Sequence, residues 1–215
     1  VLVISAKQGA TRQLISIWRF KKEGKLDLAV GTLKDFYMVH RKIFLDLSRN
    51  KKILEYFDQM YEEMHRSLFI DEHPHDGEAY ASLLQYGEII TSNVLSLYLN
   101  KVVVLNHWFD SRDFIMTTGY QVRAEIEIDE SVKRIRDAIP EMFGRRKLII
   151  LPGFISTHLQ SGQKSVLELD GSDDSGAIIA HGVEAKKMTF FKDICGVCIG
   201  NWEIPHDRGN FLARM

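Results

Sequence analysis

The sequence predicts an α/β fold with an open, mainly parallel sheet and helices on both faces. Three observations lead there. Short unbroken apolar runs at residues 1–4, 102–105, 148–151 and 188–191 read as strands buried on both faces. Longer stretches between them space their apolar residues as helices do. Small-residue turns follow two of the runs, Ser5-Ala6-Lys7-Gln8-Gly9 after the first and Pro152-Gly153 after the third. No Gly/Ser/Pro-rich linker and no repeat interrupts the 215 residues, so one domain is expected over 1–215.

In chain order, the strand at 1–4 leads through its turn into a helix carrying Leu14, Ile15, Ile17 and Trp18. Residues 27–69 show helical spacing throughout: Leu33, Phe36 and Phe44, then Phe57, Met60 and Met64. They read as two helices joined near Ser48-Arg49-Asn50, with Ser48 or Asn50 as the second cap. The polar segment 71–77 reads as a loop, and one helix from Tyr80 to Leu97 follows. After the run at 102–105, short strands are expected at 114–117 and 122–126. A helix over 131–139 is expected to stop near Pro140. The run at 148–151 precedes a helix over 173–183 with Asp173 as N-cap candidate, and 188–191 supplies the last core strand. Ligands of such sheets collect at the carboxyl ends of strands, which directs attention to the turns after Ile4, Leu105, Leu151 and Phe191.

Composition narrows the function classes. A formal net charge of −1 offers no field for nucleic acid or an anionic membrane. No apolar run approaches the roughly 20 residues of a spanning helix, and no secretory signal pattern opens the chain. Two cysteines exclude a disulfide framework, so a cytoplasmic location is expected. Generic motifs for a P-loop, a dinucleotide fold and a hydrolase elbow are all absent.

Local clusters have bland readings. Asp71-Glu72-His73-Pro74-His75-Asp76 holds potential ligands but no distant partner set, so it reads as a solvated loop, with no resident metal site expected. Cys195-Gly196-Val197-Cys198 follows a strand and does not open a helix, so it reads as packing residues. The basic run Arg145-Arg146-Lys147 reads as a solvated helix exit. More informative is Gly171-Ser172-Asp173-Asp174-Ser175-Gly176, a small-residue turn opening an apolar helix. At the least it caps a helix; it is also a turn whose free N–H groups suit phosphate, beside a carboxylate suited to Mg²⁺.

Taken in order, several segments resemble the aspartate kinases of the amino-acid kinase superfamily. Val3-Ile4-Ser5-Ala6-Lys7-Gln8-Gly9-Ala10-Thr11 is similar to the family's V-L-S-A-x-x-G-x-T strand and loop. Gln85-Tyr86-Gly87-Glu88 resembles its S-x-G-E helix start. Trp108-Phe109-Asp110-Ser111-Arg112 resembles W-x-D-x-R, with Thr118 and Arg123-Ala124-Glu125 following as in T-x(n)-R-A-E. Pro152-Gly153-Phe154-Ile155 resembles Q/P-G-F-I, and Gly171-Ser172-Asp173 resembles the end of G-R-G-G-S-D. Phe191-Lys192-Asp193-Ile194-Cys195-Gly196-Val197 stands where W-T-D-V-x-G-V would.

The resemblance implies a three-layer amino-acid kinase-like sandwich and transfer of the ATP γ-phosphoryl group to the side-chain carboxylate of aspartate. The product would be 4-phospho-aspartate, for the lysine, threonine and methionine branch of biosynthesis. It implies ATP and Mg²⁺ as cofactors, with Asp173 organising the catalytic centre. Thr11, Glu88 and Ser172 would contact substrate; Ser5, Gly171, Lys192 and Asp193 would contact nucleotide. A homo-oligomer is implied too, for which the apolar helices of 27–69 are one candidate interface.

The departures from the family pattern are specific. Leu169 stands where the family's Arg grips a substrate carboxylate, leaving Arg12, Arg112 and Arg123 as candidate substitutes. Cys198 stands where a nucleotide-stacking Tyr is common, and Ile199-Gly200-Asn201-Trp202-Glu203 does not resemble T-x-D-P-R. The family's K-F-G-G-T-S strand would lie before Val1 and its ACT-type regulatory domains beyond Met215, so the chain reads as the catalytic part of a longer protein. The alternatives are a non-catalytic or regulatory kinase-like protein, an interaction domain on the same scaffold, and a same-fold kinase with another acidic substrate.

Overall fold

The computed structural model describes residues 1–71, 76–143, 148–192, 198–199 and 210–211. Strand β1 (Leu2–Ile4) pairs in parallel with the central β5 (Ile149–Pro152), whose other edge takes β2 (His107–Trp108), also in parallel. All four residues of β5 are buried, which is why its sequence is apolar without alternation. Ile149 and Leu151 join Ile115, Ile135 and Ile179 in one core, under helices α6 (Ile128–Phe143) and α7 (Ser172–Gly182). Helix α5 (Tyr86–Lys101) packs on β5 from the remaining side. Helices on both faces of a parallel sheet are the architecture expected.

A second, mixed sheet has the order β4-β3-β6-β7: Glu125–Ile126, Met116–Thr118, Ile155–His158 and Lys164–Val166. Only its β3–β6 pair is parallel. A two-stranded ladder joins β8 (Cys198–Ile199) and β9 (Asn210–Phe211). Helices α1 (Ala10–Lys22), α2 (Leu26–Leu47), α3 (Lys51–Phe69) and α4 (Asp76–Leu84) build the larger core around Leu14, Phe36, Phe44 and Phe57. The α2–α3 junction falls where expected, with Asn50 accepting a hydrogen bond from the Lys52 amide at 3.0 Å.

Several expectations are corrected. Residues 102–105 are not a buried strand. The amides of Val102, Val103 and Val104 close the end of α5 by bonding carbonyls at Tyr98, Asn100 and Leu99. Val103 turns into the left-handed region at φ 65° and is 81% exposed. The strand begins only at His107.

Residues 188–191 form no ladder either. Met188 lies against Gly176 of α7, where a Cβ would meet its Cε at 2.7 Å. Lys192 reaches Asp173 in that helix's first turn. The segment therefore runs back along α7, which leaves Phe191 89% exposed. The helix expected from Tyr80 to Leu97 is two, α4 and α5, meeting at Gln85. Helix α6 continues past Pro140, whose missing N–H costs one bond near the helix end, and Gly171 takes the N-cap position of α7 in place of Asp173.

Close packing of α6 on α7 makes one stability prediction. A Cβ at Gly182 would stand 2.7 Å from Cβ of Ile135, a fully buried, β-branched side chain that cannot swing aside. Gly182→Ala is expected to cost about 1–3 kcal/mol and lower the melting temperature by about 2–10 °C. A thermal melt unchanged within 1 °C would show that the α6–α7 contact is looser than described.

Candidate active site

The carboxyl ends of β1 and β5 gather most of the expected site residues. After Ile4 the chain enters the loop at 5–9 and then α1, which starts at Gly9 without a side-chain cap. The Ala10 amide turns back to the Lys7 carbonyl at 2.9 Å, which leaves the Thr11 and Arg12 amides at the positive end of the helix dipole. Thr11 is half-buried in this first turn. The first turn of α5 approaches from the side: a Cβ on Gly87 would lie 3.0 Å from Cβ of Ala6 and 3.8 Å from Oγ1 of Thr11.

Glu88 follows, 4% exposed. Its Oε1 accepts from the Ala6 amide at 3.2 Å. Its Oε2 is buried with no hydrogen-bond partner among the described residues. Burial pushes the carboxyl up to about 8, against the smaller pull of the Ala6 amide and its own. A buried, half-satisfied carboxylate is costly unless something cationic completes it. Next to it, Thr91 fixes the loop: its Oγ1 accepts from the Lys7 amide at 2.8 Å and donates to the Gly87 carbonyl at 2.7 Å.

The other half of the site hangs from β5. The Gly153 amide donates to the Ile4 carbonyl at 2.8 Å, tying the two strand ends together. A Cβ at Gly153 would meet Cβ of Ser172 at 2.7 Å and its Oγ at 2.8 Å, so only glycine lets the α7 start sit this close. Phe154 is buried in the left-handed region at φ 67°, its amide held by Ser175 Oγ at 2.8 Å. That hydroxyl donates in turn to the Gly171 carbonyl at 3.0 Å. Helix α7 begins without a side-chain cap, and Asp173 in its first turn pairs with Lys192 at 2.7 Å.

The structure thus brings Thr11 and Glu88 together on one side and Gly171, Ser172, Asp173 and Lys192 on the other, with the exposed Ser5 directly after β1. Asp193 and Cys195 lie outside the described residues, as do 72–75 of the polar loop and the basic run. Sequence reading missed Thr91, which pins the loop after β1. Gly153 and Ser175 stand in segments singled out from the sequence, the turn after the third apolar run and the turn opening α7, without being assigned to the site.

Of the candidate replacements for the absent arginine, Arg112 is committed elsewhere: its guanidinium bonds Asp110 and donates to Gln85 at 2.6 Å. Arg12 is exposed on α1. Arg123 stands 3.9 Å from Glu168, the residue before Leu169. Leu169 itself is 55% exposed. An open hollow of about 740 Å³ between β4 and α7, lined by Arg123, Glu168 and Asp174 among others, adjoins this turn.

The model of the amino acid kinase family matches residues 1–208. A chloroplastic bifunctional aspartokinase/homoserine dehydrogenase 2 of Arabidopsis thaliana is 26% identical over 207 residues, covering 92% of this chain and 22% of that protein. An aspartokinase of Chlamydia trachomatis is 24% identical over 209 residues, covering 96% of this chain and 44% of that one. The crystal structure of Escherichia coli aspartokinase III with aspartate and ADP superposes with a TM-score of 0.74 at 21% identity, over 86% of this chain and 40% of that one. The chain therefore spans less than half the length of these relatives.

Proposed function

Because the chain belongs to the amino acid kinase family, we propose that it transfers the γ-phosphoryl group of ATP to the side-chain carboxylate of aspartate. The observation that carries this reading is Glu88, a buried carboxylate with one oxygen held and the other unpartnered. It suits the α-ammonium of an amino acid, which would offset the burial cost of the charge. The Thr11 hydroxyl and the uncapped start of α1 suit the α-carboxylate.

The residues present also fit a nucleotide and its metal. The uncapped start of α7, brought against Gly153, is a cradle for phosphate oxygens. Among the described residues no group of three or more His, Cys, Asp or Glu could hold a metal by itself. Mg²⁺ in kinases needs less, one or two carboxylates with the remainder from phosphate and water. Asp173 and Asp174 supply that pattern. When bound, ATP supplies the phosphoryl group and Mg²⁺ neutralises part of its charge. The hydroxyl and amide of Ser172 would hold phosphate oxygens, the Asp173 amide being taken by the Asp170 carbonyl at 3.2 Å; Lys192 would offer a cation to the nucleotide, and Asp173 would keep that cation in place. The acceptor carboxylate is its own nucleophile, so positioning and charge, not a protein nucleophile, carry the rate.

A second reading, a kinase of the same fold with another acidic acceptor, is favoured by Leu169, which offers no charge where the resembled motif has arginine. One experiment separates them. The protein is supplied with ATP, Mg²⁺ and either aspartate or a panel of other carboxylic acids, and acyl phosphate is trapped with hydroxylamine. Aspartyl hydroxamate is expected, and Leu169→Arg is expected to lower KM for aspartate about tenfold or more, the worth of one charged hydrogen bond. Hydroxamate from a different acid alone would establish the second reading. None from any acid, with no rise in melting temperature on adding ATP, would overturn both.

A further inference from the structure

Helix α5 is buried on almost every side of its first turns, Tyr86, Gly87, Glu88, Ile89 and Ile90 included. Its faces therefore meet different surroundings. Glu88 and Thr91 turn to the loop after β1. Tyr86 lies roughly 160° around the helix from Glu88, at 3.6 residues per turn. With Ile89, it lines a separate cavity of about 210 Å³ whose other walls come from α3 and β7.

The charges of that cavity are arranged in an unusual way. Arg112 is neutralised, its Nε within 2.9 and 3.0 Å of the two Asp110 oxygens. Lys164 of β7 and Glu63 of α3 line the same space, yet neither enters an ion pair among the described residues. Among the described residues the Glu63 carboxylate accepts only the Tyr86 hydroxyl, at 3.1 Å. Partial burial and the neighbouring Arg112 lower the Lys164 pKa, against the smaller pull of Glu63, Asp110 and Glu78, none of which closes on it as an ion pair among the described residues. Met60 and Ile89 add a short apolar ledge, and Tyr56 a further hydroxyl.

Opposite charges that face one cavity without closing on each other match a ligand carrying both signs. We propose that this cavity is a second small-molecule site, taking a zwitterion of amino-acid size with its carboxylate on Lys164 and its ammonium on Glu63. A simple anion would leave Glu63 facing like charge, and a simple cation would do the same to Lys164. The volume lies below the roughly 300–1,000 Å³ of pockets for larger ligands, which limits the occupant to a few heavy atoms. Helix α5 stands between this cavity and Glu88, so the two sites are distinct.

The test uses the full 215-residue chain with glycine, L-alanine, L-serine, L-threonine and L-methionine at about 10 mM, read by thermal shift and calorimetry. At least one is expected to raise the melting temperature by about 3 °C, as millimolar binding would. Acetate and methylammonium are expected to give less than a third of that shift. Lys164 and Glu63 line the cavity where it opens to solvent, and glutamine keeps an acceptor for the Tyr86 hydroxyl, so Lys164→Ala and Glu63→Gln should fold normally; each should reduce the amino-acid shift to under a third, while Glu88→Gln retains it. No shift with any of the five would overturn the proposal, as would a shift that survives both cavity variants. Loss in Glu88→Gln with retention in Lys164→Ala would place the amino acid at the other site and overturn it equally.

Discussion

Glu88→Gln is expected to lower kcat/KM for aspartate by about ten- to a hundredfold, while raising the melting temperature at pH 8. The two effects share one cause. The unpartnered, buried Oε2 is the atom available to an ammonium, and a hydrogen bond between charged groups is worth about 1.5–3 kcal/mol. Glutamine keeps the Ala6 hydrogen bond through its carbonyl and loses the charge. The stability gain follows from linkage. The carboxyl titrates near 8 in the folded chain and near 4.3 in an unfolded one. Between those values the folded state holds a proton that the unfolded state has released, so stability falls as pH rises through this window. Below about pH 4.3 both states are protonated and the penalty vanishes. Wild type should therefore lose melting temperature from pH 5 to pH 8 more steeply than Glu88→Gln. Its KM for aspartate should fall over the same interval, as the carboxylate needed by the ammonium forms. Parallel melting curves for the two proteins, with equal KM at every pH, would remove Glu88 from the substrate site.

Much of this site was legible in the sequence, for a physical reason. A strand buried on both faces has to be apolar throughout, and a turn that brings a helix start against a strand end has to be small. Ile4-Ser5-Ala6 and Pro152-Gly153 show both properties, and the folded chain ties them through the Gly153 amide and the Ile4 carbonyl. What was not legible depends on partners far along the chain. The apolar run at 102–105 matches a buried strand in composition, but its amides serve the end of α5, and periodicity does not record where an amide is used. The run at 188–191 likewise meets α7 in place of a ladder. The unsatisfied oxygen of Glu88 exists only because Ala6, 82 residues earlier, supplies one amide and nothing supplies a second. The cavity between Lys164 and Glu63 had no motif at all, since its charges come from elements separated by about half the chain.

The contrast between burial and exposure also sets what an Asp173 variant should do. Its ion pair with Lys192 is short, 2.7 Å, but about 40% of each side chain is open to solvent: 39% for Lys192 and 41% for Asp173. Exposed pairs of this kind contribute about 0–1 kcal/mol, and a carboxylate in the first turn of a helix adds a few tenths more. Asp173→Asn should thus shift the melting temperature by no more than about 5 °C. If the pair instead serves to hold a cation at the phosphate cradle made by α7 and Gly153, its loss acts on the transition state. There, charge moves between oxygens and preorganised groups count most, so kcat should fall by about a hundredfold or more. KM for aspartate should stay within about threefold, since in the proposed reading the amino-acid end belongs to Glu88 and Thr11. Lys192→Ala should leave the melting temperature equally unmoved and raise KM for ATP. A kcat within threefold of wild type for Asp173→Asn would reduce the pair to a surface contact. A melting temperature lowered by 8 °C or more would make it a structural clamp between α7 and the segment before Asp193. A large loss of kcat at unchanged stability would place Asp173, directly or through Lys192, in the phosphoryl-transfer machinery and not in the scaffold of the fold.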